Sequence, residues 1–205
     1  MLSTTFLSLL LKGGWLMLPL MVLSLLSVYI MVERWLSYRI HLYHIKDFAN
    51  EVEEQLNSND LESVYQLCLP QYNMIQKVLY KGLEQRNLSS TNLALLLEGE
   101  SNRHIALLEE KLSFLATISG VAPMIGFLGS VMGMVQAFMA IAQEQNQLSS
   151  QYFSNGIYEA MVTTIVGLIV GITAYVGYNF FVARVNQSAQ KLSYLATLFL
   201  TKVRQ

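Results

Sequence analysis

Charged residues are scarce in this chain. They make up 13% of its 205 residues, against roughly a quarter in soluble globular domains. One stretch of 72 residues, 112 to 183, has no lysine or arginine and only two acids, Glu144 and Glu159. Cysteine is as sparse. Cys68 stands alone, so no disulfide can close within the chain. The chain has no glycine-rich phosphate loop, no cysteine cluster and no nucleophile elbow, which removes the common signatures of nucleotide, zinc and hydrolase chemistry. His41 and His44 stand three apart on a predicted helix but lack a third ligand, so no metal centre is expected. A net charge of −1 without a basic stripe excludes nucleic acid as an expected partner. Neither a catalytic residue nor a cofactor is expected, and the chain does not read as an enzyme.

What fills the chain instead is apolar: 53% hydrophobic residues and a mean hydropathy of +0.40 read as an integral membrane protein. The 20 uncharged residues between Lys12 and Glu33 reach about 30 Å as a helix, the thickness of a hydrocarbon core. A further 32 lie between Lys111 and Glu144, and 24 follow Glu159, from Ala160 to Ala183. The expected fold is all-α, with three transmembrane helices at residues 13–33, 113–142 and 157–183.

Orientation follows from the basic residues, which accumulate on cytoplasmic flanks. Eight lie between residues 34 and 111, four after Ala183, one (Lys12) before the first span, and none in the loop 143–156. The N-terminus 1–12 and the loop 143–156 are therefore expected outside, in the periplasm. Residues 34–112 and 184–205 are expected in the cytoplasm, with the lipid bilayer as the protein's surroundings. The start lacks a basic first region and a small-x-small site, so the first span is expected to stay attached.

In the cytoplasmic part, apolar residues at helical spacing continue the first span through Arg34 to Leu56. Short helices are expected from Asp60 to about Leu69, before Pro70, and from about Asn73 to Gln85. Capping residues at Ser89 to Asn92 open a helix that the periodicity extends from about Thr91 through the second span to Ala142. The third span continues similarly to about Lys202, so that long helices extend from the membrane into a cytoplasmic helical bundle.

The spans themselves carry two signals. Of twelve glycines, eight lie between residues 120 and 177. Gly126, Gly129, Gly133 and Ala137 share one face of the second span, and Gly167 and Gly171 repeat the spacing in the third, after Ala160 and Thr164. Small faces let helix backbones approach closely in lipid, which predicts tight packing. The second signal is Glu159, a lone carboxyl at the edge of an apolar run, with Thr163 and Thr164 about a turn further on and Ser130 on the glycine face of the second span. Two readings stand open. A carboxyl that passes between apolar surroundings and water exchanges its proton, whereas one at headgroup level is simply solvated. On the first reading Glu159, Thr164, Ser130 and Thr163 are the expected proton-path residues; at 100° per residue Thr163 shares the face of Glu159, while Thr164 is about 140° round from it. Three spans do not enclose a water-filled path, so a pore requires several copies.

The run Gly126-Phe-Leu-Gly-Ser-Val-Met-Gly-Met-Val-Gln-Ala-Phe138 resembles the second-span signature of the MotA/TolQ/ExbB proton channel family. Gly156-Ile-Tyr-Glu-Ala-Met-Val-Thr-Thr-Ile-Val-Gly-Leu168, followed by Tyr178-Asn179, resembles its third-span signature. Their separation and the three spans are similar to the ExbB and TolQ branch, and residues 34 to 90 match only in character. The resemblance implies an inner-membrane stator-type subunit, a homo-oligomer, pentameric in that family, whose pore is lined by spans two and three. It implies a single-span ExbD- or TolR-type partner and use of the proton-motive force to energise outer-membrane transport through TonB, or envelope integrity through a Tol-Pal-type or gliding-type motor. By motif position Glu159, Thr164 and Ser130 correspond to the family's acidic and hydroxyl pore residues. Ser130 replaces a more usual threonine, and Thr173 stands where many members have proline. A reading of a different class, a non-conducting membrane scaffold, would leave Glu159 as an interface marker only.

Overall fold

The computed structural model describes residues 14–42, 45–143 and 149–203. Among them are seven helices and no strand: α1 Met17–Leu42, α2 Ile45–Asn57, α3 Leu61–Cys68, α4 Met74–Glu84, α5 Ser90–Glu109, α6 Leu112–Gln143 and α7 Ser149–Lys202. Three segments, Met17–Arg39, Leu112–Met139 and Gly156–Lys202, are long and apolar enough to cross a membrane. The protein is an all-α, multi-pass membrane protein. Glu144 with the polar stretch after it, Lys12, His44 and the side chain of His41 lie outside the described residues.

The chain forms two compact units. The first takes the described residues up to Met31 with Ser113–Asn179, the second Val32–Leu112 with the residues from Phe180 onward. In the first unit large apolar side chains lie on both sides of the packing: Leu20, Leu115 and Ile118 are buried, and many others are exposed. Leu18, Leu25, Met124, Phe127 and Ile172 are exposed, while Ala122, Ala137, Ala160 and Ala174 are buried. Lipid tails solvate the large apolar side chains as well as a protein core does, so the exposed ones carry no penalty and the small residues mark where backbones approach closely.

Pro123 shows how this packing is built. Inside α6 it donates no amide hydrogen, which leaves the Ser119 carbonyl without its ladder partner. A Cβ at Gly171 would lie 2.5 Å from the Pro123 ring and 3.1 Å from that carbonyl, so the glycine accommodates both. In α7 the helix runs unbroken through Thr173, whose hydroxyl donates to the Ile169 carbonyl at 2.7 Å. The proline of this helix pair sits in α6 instead.

The second unit is a conventional core. Val52 and Leu56 of α2, Val64 and Cys68 of α3, Ile75 and Leu79 of α4, Leu97 of α5 and Leu192, Leu195 and Phe199 of α7 are buried in one cluster. Three of its helices, α3, α4 and α5, are capped by the residues that precede them. Asp60 accepts from the Ser63 amide at 3.1 Å. Asn73 and Gln76 form a reciprocal capping box at 2.8 and 3.0 Å, and the Gln76 amide reaches on to the Leu67 carbonyl at 3.0 Å. Such caps stabilise a helix by about 1 kcal/mol each. Burial pushes the Cys68 thiol up to about 12, so it remains a protonated packing group.

The long helix expected from Thr91 to Ala142 is divided at Glu110 and Lys111. The cause is tertiary. The Leu108 carbonyl, which would accept from the Leu112 amide in an unbroken helix, receives the Tyr38 hydroxyl at 2.9 Å and the Arg34 guanidinium at 3.4 Å. Side chains that enter the i to i−4 ladder interrupt it. Lys111 meanwhile donates to Glu33 at 2.6 Å. The expected continuation of the first span to Leu56 is helical as α1 up to Leu42 and as α2 from Ile45, and the join between them lies outside the described residues.

On α5, Glu100 accepts from Lys81 and pairs with Arg103 at 3.1 Å. The Lys81 hydrogen bond first, then the charges of Lys81 and Arg103, hold its carboxyl below the ordinary value of 4.5. A group lowered in the folded state stabilises it in full above the unfolded value and loses that contribution as pH falls through the folded one. Denaturant midpoints of the solubilised protein, compared with Glu100→Gln from about pH 6 down to about pH 3, should therefore differ at the upper end and converge at the lower.

Candidate functional site on the α6 and α7 helix pair

The site is built on the small-residue seam of the first unit. A Cβ at Gly126 would lie 3.0 Å from the Thr163 carbonyl and 3.2 Å from the Cα atoms of Gly167 and Thr164. At Gly167 it would meet the Ala122 carbonyl at 2.7 Å, and at Gly133 the Gly156 carbonyl at 2.7 Å and the Ala160 Cβ at 2.8 Å. Gly129 faces the side chain of Thr163 with no space for a methyl between them. The seam thus brings together all five glycines singled out in the sequence, Gly126, Gly129, Gly133, Gly167 and Gly171.

Because the backbones lie this close, side chains of one helix bond the backbone of the other. The Thr164 hydroxyl donates to the Gly126 carbonyl across the seam at 3.0 Å, or to the Ala160 carbonyl of its own helix at 3.1 Å. Ser130 donates to that same Ala160 carbonyl at 3.0 Å, and the hydroxyls of Ser130 and Thr164 are themselves hydrogen-bonded. Two hydroxyls on different helices therefore form one connected pair, and both side chains are partly exposed. A shallow apolar groove of about 270 Å³ adjoins them, with Ser130, Met134, Phe138, Ile157 and Met161 on its walls.

Thr163 occupies a different environment. It is 1% exposed, packs against Gly129, and its hydroxyl donates to the Glu159 and Ala160 carbonyls at 3.1 and 3.0 Å. Its oxygen is satisfied within its own helix, in the manner of isolated threonines in membrane helices. Glu159 itself is half-buried. Among the described residues of the first unit it is the single charged side chain. Its carboxyl lies against Gly14, a residue that no sequence period connects to it. Only the Gly13-Gly14 pair before the first span hints at a special backbone there.

Fold and site together define a class: a multi-pass helical membrane protein with one carboxyl and a hydroxyl pair on a glycine-packed pair of helices. The chain belongs to the MotA/TolQ/ExbB proton channel family, whose model matches residues 71–193 and so includes Ser130, Glu159 and Thr164. It is 42% identical over 89 residues to the Tol-Pal system protein TolQ of Haemophilus influenzae, covering 43% of this chain and 39% of that one. It is 38% identical over 85 residues to the biopolymer transport protein ExbB of Salmonella typhimurium, covering 42% and 32%. A putative biopolymer transport protein, ExbB-like 1 of Synechocystis, is 27% identical over 196 residues, 92% of this chain and 74% of that one. The matches to TolQ and ExbB thus take in well under half of those relatives' own length.

Proposed function

We propose that this chain is the proton-conducting subunit of an inner-membrane motor. It assembles as a homo-oligomer, pentameric as the family resemblance implies, with its N-terminus in the periplasm and its C-terminus in the cytoplasm. A single-span partner of the ExbD or TolR type completes the complex, and a TonB- or Tol-Pal-type transducer carries the work to the outer membrane. Glu159 takes up and releases the proton, and the Ser130–Thr164 pair passes it on or orders the water that does. Thr163, placed in the proton path by the sequence, contributes in this reading by holding the seam closed.

The observation that supports this reading most is the isolation of Glu159. One carboxyl among uncharged spans, half-buried on a helix pair whose next turn carries two bonded hydroxyls, matches what proton exchange needs. A unit charge crossing 100 mV gains about 2.3 kcal/mol, so a few protons per cycle suffice to bias a conformational step. The apolar groove of about 270 Å³ beside Ser130 offers space for side chains of another helix, which a ring with an internal partner would supply.

Intact-mass measurement of the mildly solubilised complex, with identification of the proteins that co-purify, tests the assembly. A ring holding small single-span proteins with a membrane Asp supports the motor, and the identity of that partner separates the TonB from the Tol-Pal reading. A monomer with no partner would sink it. Within the site, Thr164→Val should reduce proton-driven work about tenfold, or about 1.4 kcal/mol of barrier, and Ser130→Ala only about threefold. Both hydroxyls bond across the seam, and the smaller effect is expected at Ser130 because water can stand in for its hydroxyl near the wider part of a pore. Equal losses would contradict the assigned order of the two hydroxyls.

A further inference from the structure

The Glu159 carboxyl rests on Gly14, and Gly14 is glycine for two separate reasons. Its φ is +67°, in the left-handed region that side chains with a Cβ rarely adopt. A Cβ built there would overlap the carboxyl oxygen of Glu159 and approach its carboxyl carbon to 2.7 Å. The turn is fixed on its other side by the start of α1, where the Met17 amide donates to the Gly14 carbonyl and the Leu18 amide to the Trp15 carbonyl, each at 3.2 Å. Trp15 itself is 64% exposed, the placement of an aromatic at a membrane–water boundary. The carboxyl is therefore half-buried beside the turn that opens α1.

From this arrangement we infer that Gly14 is a positioning residue for Glu159. The turn that opens α1 holds the carboxyl against the bare Gly14 backbone, so the first span of the same subunit forms one wall of the proton site. This inference rests on the role given to Glu159 under the proposed function, and it adds a residue outside the part of the chain matched by the family model. It also gives α1 a task besides anchoring. Any side chain at position 14 displaces the carboxyl, by its Cβ alone, whatever its polarity.

The contact and its consequence are separable by experiment. In the assembled complex of the full chain, Gly14→Cys with Glu159→Cys should close an intrachain disulfide on mild oxidation. Failure to close it, or disulfides only between different chains, would overturn the inference. Carbodiimide labelling of Glu159 reads the carboxyl's surroundings without requiring transport. Gly14→Ala and Gly14→Asn should each change the labelling rate at least about threefold, because the environment of a carboxyl sets its protonation and access. Asparagine tolerates positive φ, so its agreement with alanine assigns the effect to the Cβ rather than to the backbone. Gly99→Ala, whose added methyl meets nothing, should label at the original rate. Unchanged labelling in both Gly14 variants would refute the positioning role. These readouts stand whether or not Glu159→Gln retains proton-driven work, so a failure of the proposed function is told apart from a failure of the contact.

Discussion

Glu159→Gln is expected to abolish proton-driven work while leaving the complex assembled. Glutamine keeps the length and shape of the side chain, so it still fits the space that Gly14 leaves for it. It does not bind and release a proton in the physiological range. With no other charged side chain among the described residues of the first unit, no neighbour takes over. The loss should reach at least about 100-fold, a barrier increase of about 2.7 kcal/mol. Glu159→Asp retains the chemistry but retracts the carboxyl by one methylene from Gly14, which places its activity between the two. Uptake or envelope function measured alongside the intact mass of the complex distinguishes the outcomes. An assembled Glu159→Gln complex working at the original rate would favour the non-conducting scaffold.

The parts of this protein legible in its sequence are those set by composition and period. Gaps between charges locate the three apolar helices, because a hydrocarbon core excludes charge regardless of what packs against it. The spacing of Gly126, Gly129 and Gly133 marks the seam because helical geometry puts such residues on one face. Capping residues at Asp60, Asn73 and Ser89 begin helices where the pattern places them. What escaped depends on contacts between residues distant in sequence. The break at Glu110 arises from Arg34 and Tyr38, more than 70 positions away, competing for a carbonyl. Helical phase puts Thr163 on the face of Glu159, but only the position of Gly129 shows that this face is closed. Gly14 and Glu159 are brought together by the path of two helices, for which no local pattern exists.

A bulky residue in the seam should cost the protein its assembly, and Gly129→Leu is the sharpest case. Gly129 faces the Thr163 side chain directly, with its neighbours Gly126 and Gly133 against backbone atoms at 3.0 and 2.7 Å. The Cβ of a leucine there already overlaps the Thr163 side chain and the rest of the residue adds bulk in the same seam, so the helices are expected to separate. Separation breaks the cross-seam bonds of Thr164 to Gly126 and of Ser130 to Ala160. Overpacking a close-packed interface costs about 1–3 kcal/mol before such losses are added. In lipid no hydrophobic drive recloses the gap. The expected result is a chain that inserts but runs as a monomer on mild solubilisation. The smaller exchange Gly129→Ala tests the cause, since its methyl meets the Thr163 Oγ1, Cβ and Cγ2 atoms. Thr163→Gly removes all three. Combining the two moves a methyl-sized bulk from one helix to the other and should restore stability by at least about 0.5 kcal/mol beyond the sum of the single effects. Additive effects in that cycle would show that the seam does not close at Gly129 and Thr163.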